Sequence, residues 1–174
     1  LPPLIHRARD RMIDVHHTIL PPTARPTPDA AALIDDSVVL DNGLRVLSPD
    51  DIIVHAAAHL FADGDLAGGL RNLWDIHRLV EDGIPADIDE RAARHGLATE
   101  TKRALRPANH LSGDGSAASS ADRAYIRRLL ARDGWGRATR PVTRLGFYVR
   151  SHWLRMPPLL LARHLWTKWR KGSA

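Results

Sequence analysis

The stretch Ser48–Gly83, SPDDIIVHAAAHLFADGDLAGGLRNLWDIHRLVEDG, decides how the rest of the chain is read. Ser48-Pro49-Asp50-Asp51 is a helix start. A serine hydroxyl can accept from the free N–H groups of the first turn, proline suits the first helical position, and Asp51 falls where a capping-box acid would reach back. Two acids there also suit the positive end of the helix dipole. The spacing predicts a helix to about Ala62 and a break at Asp63-Gly64-Asp65. A second helix follows, with Leu66, Leu70, Leu73, His77 and Val80 on one apolar stripe. Gly83 ends it. So short a connection folds the pair into an antiparallel helical hairpin, expected at the centre of the fold.

Toward the N-terminus, Arg11–Leu20 (RMIDVHHTIL) alternates apolar Ile13, Val15 and Ile19 with Asp14, His16 and Thr18, which predicts a strand. Residues i and i+2 share a strand face, so Asp14 and His16 stand side by side. Pro21–Pro28 reads as an extended loop, and Asp29 caps a short helix through Ile34. Val38–Leu40 and Leu44–Leu47 flank Asp41-Asn42-Gly43, a tight hairpin turn.

Toward the C-terminus, Asp87–His95 is a short helix stopped by Gly96. Ala98–Leu111 is helical, with Pro107 expected to kink or end it. Ser112–Ser120 is a flexible connection. Asp122 is read as the cap of a helix to about Asp133, Gly134-Trp135-Gly136 as a turn, and Pro141 and Pro157-Pro158 as two further helix starts. The fold class is therefore α+β, mainly α: a small β element near the N-terminus followed by a helical bundle. Residues 1–47 form the β region and its connecting loop, 48–133 a helical domain, and 134–174 basic C-terminal helices.

The 174 residues suffice for one domain with a real core, or for a fragment of two. Cysteine is absent, which rules out disulfides and thiolate metal sites and fits a cytoplasmic, reducing setting. No apolar run approaches the roughly 20 residues of a membrane span. The chain opens Leu1-Pro2-Pro3 without Met, so further sequence upstream is expected. The net charge of +5 is unevenly spread: residues 1–122 carry 12 Lys+Arg against 19 Asp+Glu, residues 123–174 carry 13 against 1. Such a basic end can meet an acidic protein, nucleic acid, an anionic membrane surface, or the acidic body of its own chain.

Two pairs of residues are candidates for chemistry. His55 and His59, at i and i+4, share a helix face and have metal-ligand spacing, but a zinc-protease helix would carry glutamate where Ala56 stands. With no third ligand evident, His55, His59 and Asp75 are expected to face an interface between elements. Asp75 sits with Arg71 and Arg78 on one side of its helix, either as a surface ion-pair ladder or reaching across to His59. Asp14 beside His16 is the arrangement a divalent-metal phosphoryl or nucleotidyl transfer site uses, since Mg²⁺ is held by carboxylates and substrate phosphates; an ordinary polar sheet face has the same pattern. In the last helix, Leu161, Leu165 and Trp169 form a side that either docks on the core or lies on an anionic membrane surface, with Arg163, Lys168, Arg170 and Lys171 elsewhere.

Ile13-Asp14-Val15-His16, then Leu47-Ser48-Pro49-Asp50-Asp51 with His55 and His59, then Leu70-Arg71-Asn72-Leu73-Trp74-Asp75-Ile76 resemble, in that order, the motifs of the bacterial uncharacterised nucleotidyltransferase family. The resemblance covers about residues 10–83. It implies a polymerase-β-like nucleotidyltransferase, in which a Gly-Ser turn binds the triphosphate and carboxylates on two strands hold metal. Asp14 matches the third of those carboxylates, a Mg²⁺ ligand, and His16 would stand beside it. The Gly-Ser turn and the paired carboxylates are not in this sequence, because Gly113-Asp114-Gly115-Ser116 follows helices and no strand. The resemblance thus implies a nucleotide substrate, an unnamed acceptor, and a chain that is the C-terminal part of such a protein, with residues 1–47 a remnant of its β region, and that is inactive by itself. The rival reading is a non-catalytic helical adaptor that binds an acidic partner or membrane surface through its basic C-terminal region.

Overall fold

The computed structural model describes residues 4–6, 8–13, 18–81, 83–111 and 118–171. Among them the chain is α+β and mainly helical, with eight α-helices and two small antiparallel strand pairs near the N-terminus. The first pair is β1 (Leu4–His6) and β2 (Arg11–Ile13), with Ile5 opposite Met12. The strand expected over Arg11–Leu20 is thus described only to Ile13. Residues 18–20 form a bend, and Ile19 and Leu20 are both buried. Consecutive side chains of a strand point to opposite faces, so two adjacent residues entering one core mark an end to the alternation.

Helix α1 (Ala30–Asp35) is capped by Asp29, which accepts from Ala32 N at 3.0 Å. The hairpin of β3 (Val38–Val39) and β4 (Arg45–Val46) turns through Gly43 at φ +79°, a conformation that favours glycine. Arg45 ties it to α1 by bonds to Ser37 Oγ at 2.7 Å and to the Ile34 carbonyl.

Helix α2 (Pro49–Ala58) begins as expected, with Ser48 Oγ accepting from Asp51 N at 3.2 Å. It runs into a π-helical turn, His59–Asp63, before the chain breaks at Gly64. Helix α3 starts later than the stripe implied, at Leu70–Leu79. Leu66 lies in the preceding loop at φ +63° and is buried, while Leu70 is exposed. The buried face of α3 is instead Leu73, Ile76 and His77, continued by Val80. Gly69 is wedged against the core: a Cβ there would stand 2.6 Å from Leu60 Cδ1 and 3.0 Å from Leu129 Cδ2.

The two helices do pack on each other, but both pack chiefly on α5 (Ala98–Leu111), which also meets α4 (Ile88–Arg94), the π-turn and α6 (Ser120–Leu129). The centre of the fold is therefore α5 rather than the 48–83 pair. Its buried positions Thr101, Ala104, Leu105 and Ala108 form a stripe of mostly small side chains, which lets several helices approach one axis. The helix passes through buried Pro107 to Leu111 and does not end there, although proline offers no N–H to the preceding turn. The connection expected at Ser112–Ser120 lies, up to Ala117, outside the described residues. Helix α6 is capped by Ser119, not Asp122; Asp122 is the acid of a complete capping box at the third helical position. After a turn through Trp135, α7 (Pro141–Arg155) and α8 (Pro158–Lys171) complete the chain, and α7 meets the π-turn, α6 and α8. Among the described residues, no helix is long and apolar enough to cross a membrane.

Candidate functional site

The acid placed in the first turn of α2 becomes the centre of a buried ionic network. Asp51 is fully buried, and its two oxygens turn to α4. Arg91 donates to Oδ1 through Nε at 2.7 Å and to Oδ2 through Nη2, while His95 Nε2 lies 3.2 Å from Oδ1. Arg91 also donates through Nη1 to Asp36 at 2.6 Å, and Arg94 reaches the same oxygen at 2.9 Å. Burial raises the Asp51 carboxyl, but hydrogen bonds from Arg91 and Ser48 and the nearby positive charge outweigh it and leave it below the usual range. The Arg91 hydrogen bond lowers Asp36 likewise, and its two carboxylates hold Arg91 more firmly protonated. These bonds tie the end of α1 to α2 and α4.

The π-turn has its own partner. A π-turn interrupts the regular bonding of helix carbonyls, and here Arg150 of α7 donates to the Phe61 carbonyl at 2.8 Å. Burial lowers the Arg150 guanidinium from its ordinary value. Arg103 and Arg150 both stand over the Tyr125 ring, 5.1 and 5.3 Å from its centroid, and Phe61 and Phe147 meet the same ring edge-on. On α6, Asp122 takes Arg106 through both oxygens and Ser119 Oγ at 2.6 Å; the Arg106 bond above all brings its carboxyl down to about 2.

Asp14 and His16 lie outside the described residues. The chain that follows them is anchored on the end of α7. Thr23 Oγ1 donates to the Arg155 carbonyl at 2.7 Å, and Arg25 donates to the carbonyls of Leu154 and Trp153 and covers the Trp153 ring at 4.2 Å. Beside this anchor an open cleft is lined, among the described residues, by Thr23, His152, Arg155, Leu160 and His164 and by no acid. His152 and His164 stack at 4.7 Å, and the Tyr148 hydroxyl is 2.7 Å from His164 Nε2. Burial lowers His152, and Arg155, His164 and Lys168 add to that despite its bond to the Tyr148 carbonyl.

The remaining candidates are not brought together into one site. His55 and His59 are half-buried, with ring centroids 4.5 Å apart and edge-on. Arg71 and Asp75 are exposed on α3, so Asp75 does not face the interface expected of it, and Arg78 pairs with Glu81. Among the described residues, no group of three or more His, Cys, Asp or Glu side chains is placed to hold a metal ion. The Asp51 network had one signal in the sequence, since Arg91 and His95 stand at i and i+4 and share a face of α4. Nothing local names an acid forty residues earlier as their partner.

These features define a mainly helical α+β chain whose charged centres are largely structural and whose basic end receives the segment after Asp14 and His16. The chain belongs to the uncharacterised nucleotidyltransferase family, whose model matches residues 3–113. No curated protein and no solved structure matches it.

Proposed function

We propose that this chain serves transfer of a nucleotidyl group from a nucleoside triphosphate to an acceptor, with Mg²⁺ as the metal and Asp14 as one of its ligands. The observation that carries this reading is the family match over residues 3–113, which takes in the Asp14–His16 segment and both motif helices. When bound, the metal would neutralise charge developing on the phosphates. His16 would orient the Asp14 carboxylate or contact phosphate. The Gly-Ser turn and paired carboxylates that such a site requires are not in the sequence. One carboxylate does not hold a metal pair, so the 174-residue chain alone is expected to be inactive. The same match favours this reading over a non-catalytic adaptor. The test is nucleotidyl transfer from labelled nucleoside triphosphates by the full translation product of the gene, with and without Asp14→Ala. Transfer that is Mg²⁺-dependent and lost in the variant supports the reading; transfer unchanged in the variant refutes it.

A further inference from the structure

The apolar side of α8 divides into two faces. Leu161 is buried and Leu165 half-buried, facing the protein. A second row, Leu159, Ala162, Trp166 and Trp169, follows at steps of 3, 4 and 3 and is exposed throughout, with Leu159 85 %, Trp166 58 % and Trp169 73 % accessible. Arg163 and Arg170 are exposed and fall one position beyond Ala162 and Trp169, beside this row on the helix wheel. Trp169, grouped by the sequence with Leu161 and Leu165, belongs to the open row.

We propose that α8 lies on an anionic phospholipid surface, with Leu159, Ala162, Trp166 and Trp169 at the headgroup–acyl boundary and Arg163 and Arg170 against lipid phosphates. Three observations select this occupant. The charge is complementary: residues 123–174 hold 13 Lys+Arg against one acid, Asp133. The aromatic chemistry fits as well, because tryptophan combines an apolar ring with an N–H donor and settles at the membrane–water interface. Trp135, Trp166 and Trp169, three of the five tryptophans, are exposed in this part of the chain. Exposed apolar side chains also occur outside α8, since Val142 and Leu145 of the neighbouring α7 are 82 % and 62 % accessible. A peptide-groove partner usually reads one stripe of one helix, whereas a bilayer accepts apolar side chains from a whole region. An amphipathic helix with arginines beside tryptophans binds such a surface without crossing it.

The test is co-sedimentation of the 174-residue protein with vesicles of phosphatidylcholine, with and without phosphatidylglycerol, following tryptophan fluorescence. Binding to the anionic vesicles, with a blue shift, should weaken about tenfold or more in high salt and in Arg163→Glu/Arg170→Glu. It should weaken similarly in Trp166→Ala/Trp169→Ala. All four residues are exposed, so circular dichroism and melting should be unchanged; should the tryptophan variant misfold, the arginine variant carries the test alone. No binding to anionic vesicles, equal binding to neutral ones, or wild-type binding by the folded variants overturns the proposal. Self-association without lipid that the tryptophan variant abolishes would assign the face to a second copy. Binding to polyglutamate in place of vesicles would assign it to an acidic protein. Either result also overturns it.

Discussion

Arg91 of α4 and Asp51 of α2 meet as a two-pronged ion pair, Nε on Oδ1 and Nη2 on Oδ2, with the carboxylate fully buried. A buried pair adds little relative to apolar packing, yet breaking one half strands the other charge away from water. Arg91→Ala should therefore cost about 3–5 kcal/mol in urea unfolding. Lysine, with a single ammonium, cannot reproduce the fork, so Arg91→Lys should recover only part of the loss. Removing the exposed partner of Glu81, in Arg78→Ala, should change stability by no more than about 0.5 kcal/mol.

Acid should weaken the fold through the same groups. Asp36, Asp51 and Asp122 all have carboxyls lowered in the folded state. A lowered folded-state value contributes stability that is complete above the unfolded value and is lost as pH falls through the folded one. For Asp122 that window runs from 3.8 down to about 2. These carboxylates give no slope near neutral pH, where the lowered His152 makes midpoints drop as pH falls below 6.5, and midpoints should fall further through the carboxylate range. In Asp122→Asn the fall should be shallower, from a lower starting stability, because the asparagine does not titrate and has lost the charge pairing with Arg106.

Two glycines should respond oppositely to the same change. At Gly69 an added methyl meets Leu60 and Leu129 inside the core, so Gly69→Ala should cost about 1–3 kcal/mol. Gly146 lies within α7 and, among the described residues, has nothing within 4 Å of its would-be Cβ. There alanine should add about 0.5–1 kcal/mol by restricting the unfolded chain and favouring the helix. Thermal melts of the two variants give the comparison.

Much of this architecture was legible because its signals are local. Ser48-Pro49 starts α2, Asn42-Gly43 turns the small hairpin, and Pro141 and Pro158 open the last helices, each through chemistry confined to a few neighbouring residues. What stayed hidden depends on partners distant in sequence. The stripe through Leu70 gave way to one through Ile76 because α3 rests chiefly on α5. Asp51 fits a capping box on spacing alone, and only the folded chain brings Arg91 to it. Ser119 and Asp122 are three residues apart, and either is a plausible cap; the capping box resolves them as cap and third helical position. The π-turn has no signature in His59–Asp63, since its Phe61 carbonyl is satisfied by Arg150. For the site, the order of the motifs pointed to the family, while Asp14 and His16 lie outside the described residues.

The proposed role of Asp14 is that of a metal ligand for nucleotidyl transfer. Its most direct test is the rate of Mg²⁺-dependent pyrophosphate release from nucleoside triphosphates by the full translation product, supplied with a cell extract as acceptor source, for wild type and Asp14→Ala. A loss of roughly a hundredfold or more is expected with the melting temperature unchanged, because a metal carboxylate serves the reaction and not the packing. An Asp14→Ala protein that releases pyrophosphate at the wild-type rate would contradict it.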